Sequence, residues 1–507
     1  MKRRYKILIG FLSIVVVAST IVAWLIATRA EREPSLVAWK ADCSGCHGEN
    51  LEGGQGGPAL VGVALKHGDS TEQLIQSIGD GVAGTTMVGW KDKLSPELVK
   101  GLALFVSEHR QEFPTIEASY KKVPKGTRTV RSRHHTFVVE KVSTLQSRPY
   151  SMAHLPDGRI LVSEKIRGLS FIDAQGEQGE LLDGTPQVWD TILSVGGSWL
   201  NLGTVLDVEL HPDYRNNGWV YLSHTDRCQF DCGWPVPATM VRVVRGRVQN
   251  SQWVDEELIW SVHKDHYTPV PDAVAAGRLA FDKHGYLYIS IGGKNRYAKL
   301  HDLNTPYGKV HRVRDDGAVP DDNPFWKPQA ERPENSTVHT VWSYGHRTGQ
   351  GLDGHPVNGE IWNTEMGPRG GDEINHIIRG GNYGWPLYTN GLGYDGDRVT
   401  IGEDLGLNFP IEDTVLPIVD LTPAPAISNF TFHNGNTFPN WKDDLLVGTL
   451  KASALYRARI ENGQLIEYEK LIGDFGRIRD VVMGNDGLVY VLIEHNENGA
   501  VWRLRPE

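Results

Sequence analysis

His284-Gly285 followed by Tyr286-Leu287-Tyr288-Ile289-Ser290 reads as a glycine turn entering a short, half-buried β-strand. The same device occurs at Pro156-Asp157-Gly158 before Arg159–Ser163, at Asn217-Gly218 before Trp219–Leu222, and at Asn358-Gly359 before Glu360–Trp362. It recurs at Asp486-Gly487 before Leu488–Leu492, and Asp443-Asp444 before Leu445–Val447 is a degenerate copy. Six copies over residues 136–507 give about 60 residues per unit, enough for a four-stranded blade with inserted loops. Radial repetition of short antiparallel sheets is a β-propeller, and six units predict six blades; a β-sandwich does not require six similar strand-turn units.

Outward from this repeat the texture changes. Residues 113–135 are polar and carry Lys121, Lys122, Lys125, Arg128, Arg131 and Arg133, which predicts a basic, solvated linker able to touch anionic lipid or an acidic partner. Residues 35–112 read as a small helical unit. Its last helix has Ser95 as N-cap, Pro96 at the first helical position, and Leu98, Leu102 and Phe105 on one face. Lys2, Arg3, Arg4 and Lys6 precede an uncharged, mostly apolar run from Ile7 to Ala27, long enough to cross a ~30 Å hydrocarbon core. Residues 1–30 are therefore expected to be an uncleaved transmembrane anchor with its basic end in the cytoplasm. A cleaved signal peptide is the competing reading, since Thr28-Arg29-Ala30 can pass as a cleavage site.

The chain has 507 residues, with 52 Lys+Arg against 62 Asp+Glu, a net charge of −10. A negative chain without a long basic run argues against a nucleic-acid partner. The four cysteines are Cys43, Cys46, Cys228 and Cys232. Cys43-Ser44-Gly45-Cys46-His47 is the C-x-x-C-H signature of covalent c-type haem attachment, made outside the cytoplasm. There Cys228 and Cys232 are expected to form a local disulfide, two free thiols or half a metal site being the alternatives. His47 supplies one axial iron ligand. Met87, the one methionine of residues 35–112, supplies the other nearly by elimination, leaving no open iron position. Gly57-Pro58-Ala59-Leu60 and the stretch from Met87 to Phe105 resemble the corresponding loops of class I cytochromes c. That resemblance implies a proline carbonyl holding the His47 ring.

The propeller, over about Tyr150 to Leu504, resembles the soluble-type PQQ-dependent aldose (glucose) and sorbosone dehydrogenases. The residues that carry the resemblance are Gly345-His346-Arg347, Gly349-Gln350-Gly351, Glu365-Met366-Gly367-Pro368, Asp372-Glu373-Ile374-Asn375 and Gly380–Pro386. It implies an enzyme that oxidises a sugar, alcohol or aldehyde by hydride transfer to PQQ; together with the haem motif and the N-terminal run, this predicts a periplasmic enzyme that passes electrons to its own haem and on to a respiratory acceptor. PQQ carries three carboxylates, so its site needs fixed cations and a divalent metal. Arg477 and Arg479 lie on one strand face, and by resemblance Lys451, Thr422, Gln350 and Arg347 complete the cofactor set. Taken singly, each Arg or Lys reads as a solvated strand face. The resemblance further implies a Ca²⁺ at the carbonyls of Gly367 and Pro368, and a structural Ca²⁺ at Glu373 and the carbonyl of Tyr383.

The pattern breaks at the base. The family's Asp-His before Gly-Arg-Leu is here Ala273-Val274-Ala275-Ala276 before Gly277-Arg278-Leu279. Leu202, Gly293 and Thr348-Gly349 also depart from the family's polar substrate shell, which predicts a less polar pocket. An inserted loop could return His263, Asp265 or His266 to the site, another group could be the base, or catalysis could be lost. Arg347 and His266 are the expected catalytic pair. The alternative function is a ligand- or partner-binding propeller joined to an electron-transfer cytochrome c.

Overall fold

The computed structural model describes residues 33–507 except 190, 191, 196, 197, 230, 271 and 497. The expected membrane anchor at 1–30 lies outside the described residues. Among the described residues no helix is long and apolar enough to cross a membrane.

Six antiparallel sheets form the propeller. Their innermost strands are Pro149–His154, Val205–Leu210, Ala276–Phe281, Gly349–Gly354, Ile427–Phe432 and Arg477–Met483, in blades one to six. Each touches the next, and the sixth touches the first, so the ring is closed. Every strand read from a glycine or aspartate turn is the second strand of its blade, from Ile160–Glu164 to Val489–Glu494. The sixth sheet joins the two ends of the domain. In it Thr136–Leu145 pairs with the C-terminal strand Gly499–Pro506, which hides sheet edges that would otherwise remain open.

Arg278 ties the ring together at its axis. It is fully buried, and its Nε donates to the Gln350 carbonyl at 2.8 Å. Nη1 donates to Asp207 at 2.9 Å and Nη2 to the Arg479 carbonyl at 3.0 Å. One guanidinium from blade three therefore reaches blades two, four and six. Burial opposes its charge, but Asp207 and Asp480 outweigh burial and hold its pKa above the usual arginine range.

The N-terminal helical unit comprises α1 (Pro34–Ala38), a π-turn at Trp39–Cys43, α2 (Ser44–His47), α3 (Thr71–Asp80) and α4 (Pro96–Gln111). Ser70 and Gln73 form a capping box on α3, and Ser95 caps α4 as its sequence predicts. Trp39, Leu51, Leu74, Leu102 and Phe105 form its core.

Residues 113–135 differ from the expected solvated linker. They contain α5 (Ile116–Tyr120), and Arg128–Arg131 adds a fifth strand to blade six. Lys122 pairs with Asp474, and Arg128 donates to the Gly473 carbonyl at 3.0 Å. Arg133 also pairs with Glu467, at 3.0 Å, so three of its basic side chains anchor this stretch to the propeller.

Candidate active site

A cavity of about 470 Å³ opens at the end of the axis where the innermost strands begin. Arg148, Tyr150, Lys165, Gln350, Lys451, Arg477 and Arg479 line it, with Gly367 and Pro368 at its rim and Glu108, Ile116 and Tyr120 across the top. The predicted cofactor residues Gln350, Lys451, Arg477 and Arg479 thus converge. Arg148 and Lys165 are two further cations that sequence reasoning missed; both stand at blade one, over 300 residues from Arg477.

Glu494 organises the floor. Its carboxylate meets Arg479 at 2.6 Å, Lys165 at 2.6 Å and Arg477 at 3.9 Å. Burial opposes its charge, and Arg479, Lys165 and Arg477 together overcome burial to hold the carboxyl well below its usual range. Burial, and then Arg479, pull Lys165 down to about 7 against the attraction of Glu494. One carboxylate facing three cations leaves positive charge over, and the Arg477 Nε is buried without a hydrogen-bond partner. Both features suit a polyanionic ligand.

The turn from Gly367 to Gly371 is tightly folded. A Cβ on Gly367 would lie 2.2 Å from the Gly370 carbonyl oxygen and 2.3 Å from that of Gly371, so backbone oxygens crowd this rim. Such carbonyls are the hard donors a calcium ion takes. Asp372 accepts from the Gly367 and Ile427 amides at 2.9 and 2.8 Å, and burial raises its pKa to about 7. In blade four Glu373 stands opposite Glu365, and burial followed by Glu365 raises Glu373 to about 8. His346 links Glu365 at 2.9 Å to the Tyr383 ring, stacked 4.3 Å away. Two facing buried carboxylates beside Tyr383 suit a divalent cation.

Three predicted residues sit elsewhere. His266 is half-buried, its Nε2 bonded to the Asn335 carbonyl at 2.8 Å, and it does not line the cavity. The short 3-10 turn that carries it packs against the 335–337 loop, so no inserted loop returns it to the axis. Thr422 also stays out of the lining. Its carbonyl accepts from Thr71 of α3 at 2.9 Å and its hydroxyl donates to Asp420 at 2.7 Å, which places it at the seam between the helical unit and the propeller. Arg347 lines an adjoining cleft of about 580 Å³ with Tyr297, Trp385 and Tyr394. That cleft shares Pro368 and Tyr394 with the cavity. The guanidinium donates to the Met366 carbonyl at 2.9 Å and to the Tyr394 hydroxyl at 3.0 Å.

Where the family base is missing, the structure offers a different acid. Asp272, next to Ala273, is buried and lines the cavity. It accepts from the Gly203 amide and from the Thr225 and Thr239 hydroxyls, each at 2.6–2.8 Å, with Lys294 at 3.8 Å. An alignment search for histidine passes over it.

In the helical unit His47 Nδ1 lies 2.9 Å from the Pro58 carbonyl, the contact the resemblance implied; donation there leaves Nε2 for iron. A Cβ on Gly57 would meet the His47 ring at 2.9 Å, and one on Gly56 would meet Cys46 Sγ at 2.7 Å. Thr86 donates to the Gly56 carbonyl at 3.2 Å, bringing the Met87 loop against this segment. Cys43 and Cys46 are unpaired, whereas Cys228 and Cys232 form the expected disulfide. The unit is clamped to the cavity rim by Arg369, which pairs with Glu108 of α4 at 2.8 Å and with Glu33.

A closed six-bladed ring with cations gathered at its axis, roofed by a small C-x-x-C-H helical unit, defines a propeller joined to a cytochrome c module. The chain belongs to the Glucose / Sorbosone dehydrogenase family, whose model matches residues 146–503, and residues 36–106 match the model for cbb3-type cytochrome c oxidase subunit III. It is 32% identical over 375 residues to the aldose sugar dehydrogenase YliI of Escherichia coli, covering 73% of this chain and 93% of that protein. It is 25% identical over 438 residues to quinoprotein glucose dehydrogenase B of Acinetobacter calcoaceticus, covering 72% and 87%. A crystal structure of a glucose dehydrogenase superposes with a TM-score of 0.63 at 32% identity, covering 72% of this chain and 98% of that one.

Proposed function

We propose that this protein is a periplasmic PQQ-dependent dehydrogenase of aldoses, or of related alcohols and aldehydes, that passes electrons to its own haem c. The observation that carries this reading is the convergence of Arg148, Lys165, Lys451, Arg477 and Arg479 in one cavity roofed by the cytochrome module. The quinoprotein and aldose dehydrogenase relatives support the cofactor and the substrate class. The N-terminal apolar run supports placement on the periplasmic face of the inner membrane, with a respiratory carrier as the next acceptor.

PQQ, when bound with Ca²⁺, supplies a two-electron acceptor for hydride from the substrate carbon. Arg477, Arg479 and Lys451 would hold its carboxylates, and Arg477 Nε, which makes no hydrogen bond, would gain an acceptor. The Gly367–Pro368 turn presents carbonyl oxygens to the cation. Asp272 takes the hydroxyl proton: it is a buried cavity carboxylate beside the site of the missing family base, and Thr225 and Thr239 fix its orientation. His47 and Met87 would hold the haem iron, which would supply single-electron transfer. Arg347, at the mouth of the adjoining cleft, faces the substrate's approach.

Equilibrium dialysis with PQQ and Ca²⁺, followed by dye-linked assays on aldoses, alcohols and aldehydes, tests this reading. Saturable quinone binding and turnover are expected, with Asp272→Asn slowing kcat about 10²–10⁴-fold. Absence of quinone binding leaves only the ligand-binding propeller, the reading that the loss of the family's Asp-His favours.

A further inference from the structure

The roof of the cavity belongs to this chain rather than to the shared family domain. The family match begins at residue 146, whereas α5 spans Ile116–Tyr120. α5 nevertheless reaches into the cofactor cavity. Ile116 and Tyr120 line it beside Glu108 of α4. The Tyr120 ring lies 3.8 Å from the Arg477 guanidinium, and Ser119 Oγ, on a fully buried side chain, accepts from Arg477 Nη1 at 3.0 Å. On the same segment the Phe113 ring lies 5.9 Å from the Lys451 ammonium.

These contacts fix the orientation of Arg477. Its side chain is 6% exposed, with one face covered by an aromatic ring and Nη1 committed to a serine. Nε, 3.9 Å from the Glu494 carboxylate, is a buried donor that makes no hydrogen bond. A guanidinium held on two sides by the roof is pre-organised to give its remaining N–H to an anion, which saves the cost of ordering it at binding. The roof residue that holds it is a ring face, whose attraction for a cation is strengthened by burial.

We propose that α5 is a built-in cap of the quinone site, in which Tyr120 and Ser119 are positioning residues that set Arg477 for a cofactor carboxylate and retain the bound cofactor. The inference rests on the PQQ reading above. It also assigns a role to a segment whose lysines and arginines disguise it as a linker. Phe113, Ser119 and Tyr120 turn toward the propeller, while Lys121 and Lys122 pair with Glu117 and Asp474.

The test is retention of PQQ by the full chain. Protein loaded with PQQ and Ca²⁺ is diluted into quinone-free buffer, and released PQQ is followed by its fluorescence. Tyr120→Ala and Tyr120→Leu are expected to release it at least about tenfold faster than the parent. Tyr120→Phe, which keeps the ring, is expected to restore parental release, and Ser119→Ala to give an intermediate rate. The haem spectrum and the thermal unfolding midpoint report whether each variant is folded; Leu and Ser119→Ala decide the matter if the Ala variant is not. Parental release rates in Leu and Ser119→Ala overturn the proposal, as does a Phe variant that releases as fast as Leu. A parent protein that never binds PQQ defeats the functional reading itself, whereas a parent that binds with indifferent variants defeats only the cap.

Discussion

The two ends of the propeller axis are built from the same six strands and carry opposite charge. Where the strands begin, the cavity gathers Arg148, Lys165, Lys451, Arg477 and Arg479. Toward the other end a smaller chamber of about 240 Å³ is lined by Asp207, Glu209, Asp353 and Asp480. Arg278 is bonded to Asp207 and to the Arg479 carbonyl. A guanidinium with five donors can satisfy both ends at once: carbonyls from the cationic side and carboxylates from the acidic side. The difference teaches that Arg278 neutralises the acidic end within the scaffold, while the cationic end keeps more cations than Glu494 balances and so has charge left for a ligand.

The largest expected effect breaks the divide itself. Arg278→Met leaves Asp207 and Asp480 buried without their cation and is expected to cost about 3–5 kcal/mol, read as a lower midpoint in chemical unfolding. Next comes the cationic end. Arg477→Ala with Arg479→Ala is expected to weaken PQQ binding about a hundredfold or more, measured by equilibrium dialysis, with the haem spectrum unchanged.

The acidic end should respond to pH and not to quinone. Burial raises Asp353 to about 7. Its folded pKa lies above the ordinary carboxyl value, so it favours folding at low pH, and that contribution is lost as pH rises through 7. Asp353→Asn is therefore expected to raise the unfolding temperature at pH 8 relative to pH 5, with PQQ affinity unaltered. The smallest effect is a pH dependence at the cationic end. Lys165, drawn down to about 7, carries its charge below that pH, so PQQ is expected to be retained severalfold better at pH 6 than at pH 8. Lys165→Met should flatten that profile.

The blades were legible in the sequence because their signal is local. A glycine turn and the alternating strand after it, such as Gly285 and Tyr286–Ser290, need no distant contact to be recognised. The haem contacts were legible for the same reason, Cys43, Cys46, His47 and Pro58 lying within one short stretch. Lys451, Arg477, Arg479 and Gln350 were found because a family resemblance orders residues that no periodicity connects. Its limits show at Thr422, drawn to the seam by Thr71, and at Arg347, turned into the neighbouring cleft. Arg148 and Lys165 were missed because the ring closes between blades one and six, joining residues that the chain keeps far apart, and Asp272 because a carboxylate stands beside the place where the family has a histidine. His266 was an error of the opposite kind, in which nearness along the chain stood in for nearness in space. Tyr120 escaped because composition averages over a segment, and its six lysines and arginines outnumber the few residues that turn inward.

The central claim is that the cations at the axis hold a redox quinone under a cytochrome fixed in place by Arg369, Glu108 and α5. The direct measurement is stopped-flow haem absorbance after an aldose is mixed with protein loaded with PQQ and Ca²⁺, at several protein concentrations. The account predicts haem reduction with a rate constant independent of protein concentration, because donor and acceptor share one body. A haem that stays oxidised, or one reduced at a rate that grows with protein concentration, would contradict it.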